Sequence, residues 1–149
     1  MVSLGIALLA IGVALGAWLR PLPKNEPPPA PTYTSQQVAD AKVKVCAAYA
    51  KVREALTVAG ARGSSNDPTV SLAIATASRQ ALDVGSRYLL TTLTQERATA
   101  SELASATRAL ANLYQELTVS YLADKSDTDI AQLRQAAEAP TATIDKICK

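Results

Sequence analysis

Histidine and phenylalanine are absent from this 149-residue chain, which holds one tryptophan and two cysteines. The missing histidine removes the commonest general base and the commonest metal ligand together. No Cys/His cluster has zinc spacing, no glycine-rich loop could cradle a phosphate, and no serine stands in a nucleophile elbow. Net charge is scarce as well: 15 Lys and Arg face 13 Asp and Glu, leaving +2. Beyond residue 35 the two signs are interspersed, so no basic face is offered to nucleic acid or lipid headgroups. Carboxylate or tyrosine chemistry, with Glu102, Glu116 and Tyr114 as the candidates, is the one enzymatic option left. No spacing asks for it, and all three read as surface residues of one helix. The expectation is a protein without enzymatic activity, bound metal or cofactor.

Aromatic residues make up 4% of the chain. Alanine supplies about a fifth of it, well above its usual share. Such a core must be assembled from Ala, Leu and Val in closely packed helices. The length allows one compact domain and little else.

Charge is missing altogether from Val2 to Leu19 (VSLGIALLAIGVALGAWL), a run of 18 residues. As a helix it spans about 27 Å, just enough for a bilayer core. Trp18 stands where an interfacial aromatic belongs, with Arg20 after it. This pattern predicts a transmembrane anchor over residues 1–20 that meets the lipid bilayer through residues 2–19. A cleaved signal peptide is the competing reading, because Ala14-Leu15-Gly16 resembles a cleavage site. Against it, no Lys or Arg precedes the apolar run. Gly5, Gly12 and Gly16 fall near one face of the anchor, and the last two form a G-x-x-x-G pair. Such a face suits close packing against another membrane helix, although glycine is common in membrane helices generally.

Residues 21–34 form a proline-rich stalk, PLPKNEPPPAP from Pro21 to Pro31. Proline at this density favours polyproline II, about 3.1 Å per residue, and holds a following domain some 30 Å away. A proline-recognition ligand is the alternative reading of the run. Arg20 and Lys24 follow the anchor, which by the positive-inside rule favours a cytoplasmic C-terminal side. The cysteines and the stalk favour the opposite side, and they outweigh two charges.

Residues 35–149 read as an all-α domain, an antiparallel four-helix up-down bundle. Thr34 or Ser35 caps a first helix with Val38, Ala41, Val45, Ala48, Val52, Leu56 and Ala59 on one face. Gly60 and the stretch Gly63-Ser64-Ser65-Asn66 end it. Asp67-Pro68 then starts a second helix. Its face is Leu72, Ala75, Leu82, Leu89 and Leu93, widened by Ile74, Ala81 and Tyr88, with Arg79, Asp83 and Arg87 as a solvated row. Thr99-Ala100-Ser101-Glu102 fits a capping box, followed by Leu103, Ala106, Leu110, Leu113, Leu117 and Tyr121. Ser126 with Asp129 opens the last helix, whose face is Ile130, Leu133, Ala137, Ile144 and Ile147. Pro140 must kink or divide it.

In such a bundle the first and last helices lie side by side, antiparallel. Cys46 and Cys148 then stand at roughly the same level, with an offset of about 9 Å to be absorbed at Pro140 or in the loops. A Cys46–Cys148 disulfide follows, since the two cysteines bracket a domain that looks exported. It would close a loop of about a hundred residues, contributing up to about 4–5 kcal/mol by loop entropy. Two unrelated buried thiols are the alternative.

The Ala- and Thr-rich, Arg-biased composition looks actinobacterial. The order of anchor, PPPAP stalk, ARGSSNDPT, ALDVGSRYLLTTL and terminal IDKIC resembles the alanine- and proline-rich single-pass membrane proteins of mycobacteria. The resemblance spans the chain through its layout. It implies surface anchoring and carries over no site residue, because that family has no assigned activity. The expected function is a non-catalytic extracytoplasmic module on the cell membrane, docked on another integral membrane protein or envelope complex. The alternative is a carrier that holds a lipid or other apolar ligand inside the bundle.

Overall fold

The computed structural model describes residues 31–60 and 66–149. The expected anchor with Gly5, Gly12 and Gly16, the stalk as far as residue 30, and residues 61–65 lie outside the described residues. Among the described residues, no helix is long and apolar enough to cross a membrane. They form five helical segments: α1 (Ser35–Gly60), α2 (Pro68–Gln95), α3 (Ser101–Leu122), α4 (Asp127–Ala136) and α5 (Glu138–Ile147).

Side chains at the helix starts explain where three of these segments begin. Thr34 Oγ1 accepts from the Gln37 N–H at 3.2 Å, while Gln37 Oε1 accepts from the Thr34 N–H at 2.9 Å. That reciprocal pair is a capping box, and it selects Thr34 over Ser35 as the cap of α1. Asp67 accepts from the Thr69 and Val70 N–H groups, with Pro68 at the first helical position. Ser126 accepts from the Asp129 N–H at 3.2 Å and donates to Asp129 Oδ2 at 2.8 Å.

The expected box at Thr99 does not form. α3 begins one residue later, its N-cap is Ala100, and no side chain caps it. The Thr99 hydroxyl donates instead to the Glu96 carbonyl at 2.6 Å, which the Thr99 N–H also reaches at 3.0 Å. The tight turn out of α2 takes the threonine before the helix can.

Packing follows the apolar periodicity closely in α1, where Ala41, Val45, Ala48, Val52 and Ala59 are all buried. Around them close Leu82, Leu89 and Leu93 of α2, Leu103, Leu110 and Leu117 of α3, and Ile130 and Ile144 of the last limb. Other expectations fail. Leu72 is 64% exposed. α2 runs 28 residues against 22 for α3. From their short connection its first turns therefore overshoot α3 by six residues, about 9 Å. Tyr114, expected on the surface, is buried in the core.

Neighbouring limbs run antiparallel. Lys44 of α1 meets Glu96 just past the end of α2 at 2.9 Å. Tyr121 of α3 accepts from the Arg134 guanidinium of α4 at 3.1 Å. Between α3 and α4, Asp124 takes a positive φ of 51°. The Lys125 N–H reaches back to the Ser120 carbonyl at 3.1 Å, the long bond of a Schellman turn. The last limb divides at Ala137, whose N–H is shared by the Leu133 and Arg134 carbonyls at 3.1 and 3.2 Å. Pro140 explains the division: it has no N–H for the Ala136 carbonyl, and its ring crowds that oxygen.

Cys46 and Cys148 are paired as a disulfide, with Cα atoms 5.5 Å apart across 102 residues of chain. The expected bracket of the domain is thus closed.

Candidate functional site

Two surface features surround α1, one on each side of its buried stripe. The first is the junction with α5. Cys46, Tyr49 and Arg53 stand at steps of three and four, on one side of α1. On α5 and its end, Asp145 lies three residues before Cys148. Antiparallel helices tied at the cysteines bring positions of equal offset together. Tyr49 accordingly donates its hydroxyl to Asp145 Oδ1 at 2.9 Å, and Arg53 Nη1 reaches the same oxygen at 2.8 Å. The Arg53 guanidinium also sits over the Tyr49 ring, 5.6 Å from its centroid.

Burial first, and the hydrogen bond to Asp145 second, push the Tyr49 phenol up to about 12. Burial also raises the phenol of nearby Tyr114. A phenol held neutral in this way is a poor base at ordinary pH. The junction fastens the C-terminal segment to α1, and an open groove of about 600 Å³ runs beside it past Ala50 and Lys149.

On the opposite side α1 meets α2. Gly85 lets the two backbones approach: a Cβ there would lie 2.7 Å from Val52 Cγ1. Outside that contact a groove of about 550 Å³ opens between Glu54, Ala55 and Val58 of α1 and Ala77, Ala81 and Val84 of α2. A smaller depression continues it past Gly85 to Tyr88. Val58, Val84 and Tyr88 are 55%, 51% and 43% exposed. Along α2 the apolar residues Val70, Ile74, Ala77, Ala81, Val84 and Tyr88 recur at steps of four and three. This stripe is set about 100° from the one that faces the core, since Tyr88 and Leu89 are adjacent residues.

The structure scatters the residues weighed for catalysis. Glu102 and Glu116 are exposed on α3, and 14 residues of helix, about 21 Å, separate them. Tyr114 is inside. Among the described residues, no three His, Cys, Asp or Glu side chains gather as metal ligands would. Cys46 and Cys148 are brought together. Gly5, Gly12 and Gly16 lie outside the described residues.

Sequence reasoning missed Tyr49, Arg53 and Asp145, although their mirrored offsets from the two cysteines were a usable signal. It also read Ile74, Ala81 and Tyr88 as the edge of one broad face, where the four-three spacing marks a second stripe. No protein-family model, no curated protein and no solved structure matches the chain.

Proposed function

We propose that the chain is a non-catalytic docking module, an accessory subunit of a larger membrane or envelope complex. In this reading residues 2–19 anchor it in the membrane, and the helical domain stands outside the cytoplasm on its proline-rich stalk. The observation that carries the reading is the apolar face between α1 and α2. Val58, Val84 and Tyr88 stay half in water around a groove lined by Ala55, Ala77 and Ala81 together with Lys51, Glu54 and Gln80. Exposed apolar residues gathered among polar ones in this way are characteristic of contact sites. The disulfide supports an oxidising compartment.

The carrier reading draws no support from the grooves described, which open on the outside of the bundle. Inside it, Val45, Leu89, Leu110 and Ile144 are at 0% exposure, packed against one another's helices.

Purification of the full chain in mild detergent, followed by mass spectrometry, tests the proposal. Partners should co-purify with the native chain and be lost from a Val58→Glu, Val84→Glu variant. Replacing Gly12 and Gly16 with Leu tests the anchor face separately, since it keeps the segment apolar while blocking close approach. If both variants keep every partner, neither surface docks anything and the reading fails. A reporter fused after Lys149 that works only in the cytoplasm should stay silent; its activity would reverse the orientation.

A further inference from the structure

We propose that the α2 stripe is the seam of a reversible homodimer, in which α2 lies antiparallel against α2 of a second copy. The inference rests on the α1–α2 face being a contact surface, and it supplies an occupant. The steps of four and three from Val70 to Tyr88 are the spacing of a helix–helix seam, with apolar residues every 3.5 positions. α2 spends its other apolar face, Leu82, Leu89 and Leu93, on the core. Of the seam, only the half-buried middle lies against α1, beside Ala55 and Ala59.

The order of sizes along the seam identifies the occupant. Val70 and Ile74 are large, Ala77 and Ala81 small, Val84 and Tyr88 large again. Turned end for end about position 79, the series falls on itself. An antiparallel twofold therefore sets the alanines of both copies at the crossing, where two backbones come closest. It sets each copy's Val84 and Tyr88 beside the other's Ile74 and Val70. An isologous interface demands this self-complementarity, and a foreign helix has no reason to satisfy it.

Charge and area agree. No ionisable residue occurs from Pro68 to Ser78. Asp83 and Arg87, on the outer side of α2, already pair with each other, and the two charged residues that α1 brings to the groove, Lys51 and Glu54, are of opposite sign. The seam is about 27 Å long and about 20 Å wide across α1 and α2. Two such faces remove about 1,100 Å² from water, just above the size at which specific interfaces begin and short of a permanent one. The dimer is accordingly expected to dissociate on dilution.

The test mixes unlabelled and heavy-isotope full chain in neutral detergent, with a photo-crosslinking amino acid at position 84. Cross-links joining unlabelled to heavy α2, near Val70 and Ile74, are expected. Val84→Glu should weaken the dimer tenfold or more by sedimentation, with its helical circular dichroism unchanged. Val119→Glu, at a 64% exposed position of α3, should leave it intact. A chain that is monomeric at every concentration, links confined to single copies, or a dimer indifferent to Val84→Glu would each overturn the proposal. A monomer whose Val84→Glu variant loses a foreign partner overturns the dimer and leaves the docking reading standing. A dimer dissolved by Val84→Glu with every foreign partner retained keeps the dimer and removes this face from the docking reading.

Discussion

Tyr49 donates its hydroxyl to Asp145 at 2.9 Å, joining residues 96 positions apart in the chain. Arg53 completes the contact at the same carboxylate oxygen. A disulfide fixes only how close two backbones stand; these two side chains also fix how α5 is turned against α1.

Tyr49→Phe should lower unfolding free energy by about 1.5–3 kcal/mol, the worth of one hydrogen bond to a charged acceptor. The pH dependence has a definite sign. The Tyr49 phenol rises from 10.0 to about 12 on folding. Its contribution is therefore complete below pH 10 and disappears as pH climbs toward 12. Denaturant melts of native and Tyr49→Phe chains should differ most below pH 10 and converge above it. In an ultraviolet phenolate titration, the last step of the native chain should be missing from the variant.

Replacing Cys46 and Cys148 together with Ser should cost about 2–5 kcal/mol, read as a lower denaturant midpoint. Alkylation of non-reduced native protein should find no free thiol and a single linked Cys46–Cys148 peptide. Two alkylated cysteines in protein from its own compartment would remove the covalent closure.

Gly85→Ala sets two effects against each other. Alanine gains about 1 kcal/mol in helix propensity over glycine. Its methyl would also meet Val52 Cγ1 at 2.7 Å, and valine is too stiff at χ1 to yield cheaply. Overpacking commonly costs about 1–3 kcal/mol, so a net loss of about 1 kcal/mol is expected in urea unfolding. Adding Val52→Ala should recover more than the two single changes predict. A stabilised Gly85→Ala chain would mean that α1 and α2 stand further apart.

Thr107 is fully buried on α3, and its hydroxyl has no hydrogen-bond partner among the described residues. Thr107→Val keeps the shape and removes the stranded polar atom. It should raise stability by about 1 kcal/mol, seen as a higher urea midpoint. Thr107→Ser, which keeps the hydroxyl and loses a methyl, should do the opposite.

Much of the helical layout was legible because each face repeats every three or four residues. In α1 five of the seven residues read as its face, Ala41, Val45, Ala48, Val52 and Ala59, are buried, and Val38 and Leu56 are half-buried. The starts at Thr34, Asp67 and Ser126 were legible because a short polar side chain announces a cap. Thr99 misled because a turn competed for its hydroxyl. Leu72 misled because periodicity says nothing about where a neighbouring helix stops. Gly85, Ser86 and Thr107 escaped notice for a different reason: small or polar residues enter a core only when a particular neighbour accommodates them. Ser86 does so by donating to the Asp83 carbonyl at 2.9 Å. The Tyr49–Asp145 contact required the register that the disulfide sets, and the α2 seam required knowing which stripe α1 leaves open.

The sulfur bridge has a mechanical consequence. It joins Cys46 to Cys148, 102 positions further along, and closes the chain between them into a covalent ring. Tension pulled across the domain then runs through the residues before Cys46, across the two sulfurs and out beyond Cys148. The bundle between them lies in parallel with that load, and about 350 Å of contour stays hidden. Under oxidising conditions such a domain yields only its first turns of α1 to a pulling force. Once the bridge is reduced, the same force acts on the core.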